Sequence, residues 1–275
     1  MSSSSSAETT QNGFLAFLFL GMRHTSCYRP RVAIRNYVLD WVSEMYTGER
    51  PLLDVGCGDG RFVVALDRIL PGAVFGYDVP EARSRCEAGV RGTALEARFE
   101  SVFRFEEPGP LLPYPDDSFE LLVCNQVIEH IRDLDGFLHG CARVLHPGGK
   151  MLCVFPPVTH IIEAHTRVPG LHWFPPGPLR RGILGASHHV FGIPSQRGTE
   201  EVPVFWDRWL REKTWYRSIS SVARVASRHF GEVRDDAFRY ACTVFGASVI
   251  RSAPVLRWAP HIFLNCTLVL GKPRF

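Results

Sequence analysis

The apolar positions of the chain follow two periods that alternate along its length. From Pro30 to Tyr46, Val32, Tyr37, Val38, Trp41, Val42 and Met45 recur at helical spacing, and Pro30 suits a first helical turn. The short run PLLDV (51–55) then reads as a buried strand, followed by a loop with glycine at every second position and an amphipathic helix over RFVVALDRILPG (61–72). The alternation continues with strands AVFGYDV (73–79) and FELLVCN (119–125) and a helix through DLDGFLHGCARVL (133–145). HPGG (146–149) is expected to turn the chain into a fifth strand, KMLCVFPP (150–157). Helices and strands of this length in strict alternation predict an α/β fold: a doubly wound, mostly parallel sheet with helices on both faces. Ligands of such sheets bind beyond the carboxyl ends of the strands, where the glycine loop lies.

The last third is less regular. Residues 204–233 predict one or two helices that bury Trp206, Trp209, Leu210, Ile219, Val222 and Val225 and end at Gly231 as a cap. VRDDAFRYACTVF (233–245) and IFLNCTLVLGKP (262–273) are expected to be the last two strands. Between them, residues 246–261 form an apolar, arginine-bearing interruption that suits core cover, a homodimer surface, or contact with a membrane surface or lipid-like substrate. Before residue 27, a serine run leads into an apolar patch, Phe14 to Leu20. It lacks the flanking charge and cleavage site of a secretory signal, and it is far short of the roughly 20 residues a membrane span needs, so it is expected to dock on the protein or another surface. The organisation expected is a docking or disordered segment over 1–26 and one domain over 27–275. That domain divides into a cofactor core (about 50–157), a lid insertion (about 156–203) and C-terminal helices with the last two strands (204–275).

Composition narrows the chemistry. At 275 residues, 45% hydrophobic and 21% charged, the chain buries a sizeable core. A net charge of +3 with dispersed arginines disfavours nucleic acid as a partner. Eight cysteines without a C-x-x-C pair, several inside apolar runs, fit a reducing, cytoplasmic setting.

Gly56, Gly58 and Gly60 let the backbone approach a ligand closely at a helix start. The loop is not a dinucleotide fingerprint, because the third glycine position holds Arg61, and the phosphate-cradling G-x-x-x-x-G-K-[ST] is absent. Asp78 closes the second strand, where a carboxylate can accept hydrogen bonds from both ribose hydroxyls. The loop alone would also serve as an ordinary strand-to-helix turn; loop and carboxylate together point to a nucleoside.

DVGCGDGRF, the aspartate of GYD, LPYPDDSFELLVCNQVIEHI and LHPGGKMLCVFP stand in the order and spacing of the class I S-adenosylmethionine-dependent methyltransferases. They closely resemble the type-11-like small-molecule branch, over about residues 50–157. The resemblance implies a Rossmann-like seven-stranded sheet and S-adenosylmethionine as cofactor. It implies that Asp54 and the loop Gly56, Cys57, Gly58 and Gly60 border the methionine part, that Asp78 holds the ribose, that Val79 lies against the adenine, and that Asn125 and Gln126 line the cofactor floor. The usual adenine-contacting segment is replaced by FRFEEPGPLLPYP, with Glu106 or Glu107 as stand-ins.

Methyl transfer from a sulfonium is an in-line displacement that needs alignment and no metal. A hydroxyl acceptor also needs a base, for which histidine is suited. Candidates are His130 in IEHI and the histidines of the insertion, His160, His165, His172, His188 and His189; of these, His130, His165 and His172 are the expected catalytic residues. The insertion also loosely resembles an E-x-H…P…H-W…P stretch of some bacterial methyltransferases linked to glycan and secondary-metabolite pathways. A metal site of Glu163, His165 and His172 is the competing reading, although HIIEAH is one residue too long for H-x-x-E-H. NQVIEH lacks the Asn/Asp-Pro-Pro-aromatic sign of nucleobase amino-methylation. The function expected is therefore O-methylation of a small molecule or a glycan or lipid precursor with a histidine base. The alternative is a catalytically inactive, methyltransferase-like binding or scaffold protein, which the intact loop and Asp78 disfavour.

Overall fold

The computed structural model describes residues 30–107, 111–191, 193, 201–245 and 265–274, apart from the side chains of 30–34, 188–191 and 245. The N-terminal apolar patch and the 246–261 interruption lie outside the described residues, as do the side chains of His188 and His189.

Helix α1 (Pro30–Met45) leads into β1 (Leu52–Val55), α2 (Arg61–Asp67), β2 (Val74–Asp78), α3 (Arg83–Val90), the single turn α4 (Phe99–Val102) and β3 (Phe103–Phe105). Next come β4 (Phe119–Asn125), α5 (Leu134–Val144) and β5 (Leu145–Phe155). The insertion holds α6 (Pro178–Phe191), and the chain continues through α7 (Val202–Lys213), α8 (Ile219–His229), β6 (Phe230–Asp235), α9 (Ala237–Phe245) and β7 (Cys266–Pro273). The seven strands form one sheet in the order β3-β2-β1-β4-β5-β7-β6. β1 to β5 pair in parallel, and β7 runs antiparallel to both β5 and β6.

Alternate residues of the central strands supply two separate cores. Leu52, Leu121, Val123, Leu152 and Val154 face one side, under α1 (Tyr37, Trp41), α2 (Val63, Leu66), α3 (Cys86) and α9 (Tyr240). Leu53, Val55, Leu122, Cys124, Met151 and Cys153 face the other, under α5 (Leu138, Cys141) and α8 (Val222, Ala226). Burial on both faces explains why these strands read as continuous apolar runs. Cys57, Cys86, Cys124, Cys141, Cys153 and Cys266 are buried free thiols that act as small hydrophobes. Side-chain caps start two of the helices: Asp133 accepts from Gly136 N–H (3.1 Å) at α5, and Ser218 accepts from Ser221 N–H (3.2 Å) at α8. At the end of the strands opposite the glycine loop, the buried Glu120 carboxylate accepts the backbone amides of Thr47, Gly48, Glu49 and Arg50, which fixes the entry into β1. No described helix is long and apolar enough to cross a membrane.

Three expectations need correction. HPGG does not precede the fifth strand but lies within it, as an irregularity in the pairing: Phe119 pairs with Leu145 and Leu121 with Lys150, so the β5 side bulges between them. Gly231 is not a helix cap. α8 ends at His229 and the chain passes directly into β6, because Phe230 is buried and pairs with Pro273. AFRYACTVF is a helix, not a strand; it buries Ala237, Tyr240 and Ala241 at helical spacing and leaves Phe238 exposed. The third strand, which the sequence reading did not locate, is the three-residue FRF at the start of the segment that replaces the usual adenine-contacting one.

Candidate active site

The glycine loop leaves β1 with Gly56, Gly58 and Gly60 all in the left-handed region (φ +83°, +56° and +70°). Gly56 and Cys57 amides donate to the Tyr77 carbonyl (2.8 and 3.1 Å), tying the loop to β2. A Cβ on Gly56 would lie 2.2 Å from Val127 Cγ2, and one on Gly60 2.6 Å from Cys86 Sγ, so these two glycines are imposed by packing. A Cβ on Gly58 would meet nothing within 4 Å, which marks its face as the open side of the cradle. Asp78 Oδ2 accepts from Gly58 N–H (2.6 Å) and Oδ1 from Val79 N–H (2.7 Å). Each oxygen keeps a lone pair for a further donor. Val79 is half-buried beside it.

Asp54 is buried at the end of β1, and burial, with the charges of Asp78 and Asp59 adding to it, pushes its carboxyl up to about 8. Beyond β4, Asn125 Oδ1 and Gln126 Nε2 are buried without a hydrogen-bond partner, and Gln126 has φ +60°. Orphaned polar atoms next to an open glycine cradle fit a polar ligand such as the methionine end of S-adenosylmethionine. Glu106 and Glu107 are exposed as the chain leaves β3; the Glu106 amide donates to the Asp78 carbonyl (3.2 Å).

The turn after β4 and the insertion meet at two histidines. His130 Nδ1 lies 2.7 Å from the Lys213 carbonyl, and its Nε2 faces His165 Nε2 at 3.3 Å. His165 Nδ1 lies 2.9 Å from Glu163 Oε1 and 3.1 Å from the Tyr216 hydroxyl. Glu163 is fully buried; its Oε2 accepts the amides of His165 (3.0 Å) and Thr166 (2.5 Å) and the Thr166 hydroxyl (2.7 Å), and the Tyr216 hydroxyl donates to Oε1. Burial alone would raise the Glu163 carboxyl, but the bonds from His165, Tyr216 and Thr166 outweigh it and hold it at about 2. Burial lowers the basicity of His130. The Trp209 ring lies against both imidazoles, with centroids at 5.7 and 4.7 Å. Glu129, next to His130, is buried with both carboxylate oxygens unpartnered, and burial, reinforced by the charge of Glu163, pushes it up to about 8.

His172 does not join this group. Its Nε2 lies 3.1 Å from the Val158 carbonyl, its Nδ1 is buried without a partner, and its ring packs on Tyr216 at 4.8 Å. Burial lowers its basicity too. His160 instead contacts the Ile162 carbonyl through Nδ1 (2.5 Å). Among the described residues no three His, Cys, Asp or Glu side chains converge to hold a metal ion, so the described Glu163, His165 and His172 do not form the metal cluster that their spacing left open.

Sequence reasoning passed over the segment between α7 and α8. Its Arg217 guanidinium donates to the carbonyls of Ile128 (3.0 Å), Ile131 (2.6 Å) and Arg132 (3.0 Å), and the Trp215 amide donates to the Glu129 carbonyl (2.7 Å). Tyr216, between them, is thereby held against Glu163. The signal was TWYRS itself, a cluster of large side chains with polar ends in a short interhelical link. The insertion is not an open loop either: Val168, Leu171, Leu184, Ile193, Trp206 and Leu210 give it a small core of its own against α7.

A family model described as "Methyltransferase domain" matches residues 53–153. A ubiquinone biosynthesis O-methyltransferase of Alkalilimnicola ehrlichii is 30% identical over 192 residues, covering 67% of this chain and 68% of its own length. One of Chelativorans sp. is 30% identical over 185 residues (66% and 61%), and the human mitochondrial one 34% identical over 104 residues (36% and 27%). The chain thus spans less than two thirds of the latter two. In fold, it is similar to a Haemonchus contortus phosphoethanolamine N-methyltransferase 2 solved with phosphomonomethylethanolamine and S-adenosylhomocysteine, with TM-score 0.50, 14% identity, and 98% and 59% of the two chains covered. The methyltransferase-domain match inside the sheet core and the likeness to the Alkalilimnicola enzyme over two thirds of both chains show that the chain belongs to the S-adenosylmethionine-dependent methyltransferases.

Proposed function

We propose that the protein methylates a hydroxyl group of a small acceptor, and that a histidine at the meeting of the post-β4 turn and the insertion takes the hydroxyl proton. Bound S-adenosylmethionine supplies the electrophilic methyl group. The cofactor is held by Asp54, the Gly56–Gly60 loop with Cys57, Asp78, Val79, Asn125 and Gln126. The observation that carries the reading is the His165–Glu163 contact at 2.9 Å with His130 opposite, an imidazole oriented by a buried carboxylate. His172, bound to the Val158 carbonyl, is assigned to positioning the insertion.

The acceptor class follows from two supports. The relatives named for ubiquinone biosynthesis make a quinone-precursor hydroxyl the first to test, and the insertion exposes Trp173 (54%), Phe174 (38%) and Leu179 (63%), apolar side chains suited to an acceptor with a hydrocarbon part or to a lipid surface. A glycan precursor is the second. The domain division, with residues 156–203 covering the acceptor, belongs to the same proposal.

The test has two steps. Calorimetry with S-adenosylhomocysteine measures cofactor binding, and S-adenosylhomocysteine release is then followed across phenolic, lipid-linked and glycan acceptors. His165→Gln is expected to leave cofactor affinity unchanged and to lower turnover about 10²–10⁴-fold. Cofactor binding with no turnover on any acceptor would favour the scaffold reading, and full turnover in His165→Gln would remove the base from His165.

A further inference from the structure

We propose that His130 and His165 act as a single proton acceptor, two imidazoles that share one proton between their Nε2 atoms, with Glu163 and Tyr216 as the positioning residues. The partners assign the ring protons. The Lys213 carbonyl can only accept, so His130 carries its proton on Nδ1. Glu163 takes five hydrogen bonds, from two amides, two hydroxyls and His165 itself, which only an ionised carboxylate accommodates, so His165 also carries its proton on Nδ1. Both Nε2 atoms are then lone pairs, and they face each other at 3.3 Å. Without a further proton two acceptors oppose one another. One added proton turns the contact into an N–H···N bond, and a second would set two N–H groups and two positive charges head to head. The geometry therefore has room for one shared proton and opposes a second.

The surroundings suit that single charge. Glu163 supplies the countercharge in direct contact, Tyr216 fixes Glu163, and Trp209 covers both rings. Glu129 sits on the His130 turn, Asp78 acts on His130 from the cofactor end of β2, and His172 and His160 stand beyond Tyr216. Lys213 presents its carbonyl to the pair. The catalytic use rests on the O-methylation reading. As the acceptor O–H bond breaks, its proton goes to the Nε2 lone pairs. The oxygen pair forms the new O–CH3 bond, and the electrons of the old S–CH3 bond stay on sulfur. The positive charge lost from the sulfonium reappears on the pair, next to Glu163.

The shared proton can be read without acceptor or cofactor. The full chain, labelled with 15N-histidine, is titrated by NMR from pH 5 to 8. The expected result is that the Nε2 signals of His130 and His165 move together with uptake of one proton in total, and that in His165→Gln the His130 signal titrates at a pH lower by about one unit or more. Glu163→Gln, which removes the countercharge, is expected to move the joint uptake to lower pH and the acid limb of the kcat profile with it. Two independent titrations of one proton each, or an unmoved His130 in His165→Gln, overturns the proposal. If His165→Gln does not fold, the wild-type titration decides alone. A joint titration accompanied by full turnover in both His130→Gln and His165→Gln would uphold the shared proton and remove the function proposed for it.

Discussion

Gly56 and Gly58 are two residues apart, both at positive φ, yet alanine at each should fail for a different reason. Any L-residue in the left-handed region costs about 1–2 kcal/mol. At Gly58 (φ +56°) that is the whole stability cost, since the new methyl meets nothing within 4 Å. At Gly56 (φ +83°) the methyl would lie 2.2 Å from Val127 Cγ2, and relieving such overpacking costs about a further 1–3 kcal/mol. At about 2–4 °C of Tm per kcal/mol for a chain of this size, Gly58→Ala should lower Tm by about 2–8 °C and Gly56→Ala by about 4–20 °C. Cofactor affinity should reverse the order per kcal/mol lost. The Gly58 methyl would stand in open space beside the amide that donates to Asp78, and on the proposed cofactor assignment a loss of about tenfold or more in S-adenosylhomocysteine affinity is expected by calorimetry from a nearly intact fold. The decisive measurement is a double-mutant cycle with Val127→Ala, read by urea unfolding. Removing the Val127 methyls should restore about 1–3 kcal/mol to Gly56→Ala and nothing to Gly58→Ala. Additive effects in the Gly56 cycle, or equal Tm losses at the two glycines, would refute the packing argument.

Other perturbations test other parts of the structure. If Asp78 holds the ribose as proposed, Asp78→Ala removes that acceptor and should weaken cofactor binding by roughly ten- to hundredfold, or about 1.5–3 kcal/mol; unchanged affinity in calorimetry counts against the assignment. Asp54 and Glu129 are both raised from ordinary carboxylate values to about 8. Between about pH 4 and 8 the folded chain keeps protons that the unfolded chain has lost, so stability is highest at the acid end and falls by about 1.4 kcal/mol per pH unit per group until the folded-state value is passed. Asp54→Asn should flatten that fall in urea melts, and parallel pH curves for variant and wild type would contradict it. Asp207→Asn should destabilise by about 3 kcal/mol or more, because Arg180, buried with its Nε 2.6 Å from Asp207 Oδ1, would lose its countercharge; a change below 1 kcal/mol in chemical unfolding would show the pair to be dispensable.

The sheet core was readable because burial on both faces leaves a one-dimensional trace. FELLVCN begins and ends where β4 does, and the loop glycines announce the β1 to α2 turn. Legibility failed where length or period was ambiguous. β3 has only three residues, too few for any period to register. AFRYACTVF is as apolar as a strand, and the tertiary packing of Tyr240 and Ala241 in the core that α1 covers favours the helix. In β5 the glycines did signal irregular backbone, but as a bulge that keeps the strand pairing rather than a turn that precedes it.

The same contrast separates the two halves of the site. The cofactor cradle is local: Gly56, Gly58 and Gly60 are close in sequence, and Asp78 follows at the end of the next parallel strand, so spacing alone can place them. The histidine group is not local. His130, Glu163 with His165, and Tyr216 come from three segments, separated by 35 residues between the histidines and 53 between Glu163 and Tyr216. Spacing within the insertion therefore gave His165 and His172 equal standing. What separates them is a contact each makes across the fold: His165 meets a carboxylate and a second imidazole, whereas His172 meets a backbone carbonyl. A carbonyl can fix a ring, but it cannot offset a charge on it as Glu163 can for His165. An insertion rich in histidines thus yields one candidate acid–base group and at least one fastening residue, and only the partners, fixed by Arg217 and Trp215 pinning the 213–217 link to the post-β4 turn, decide which is which.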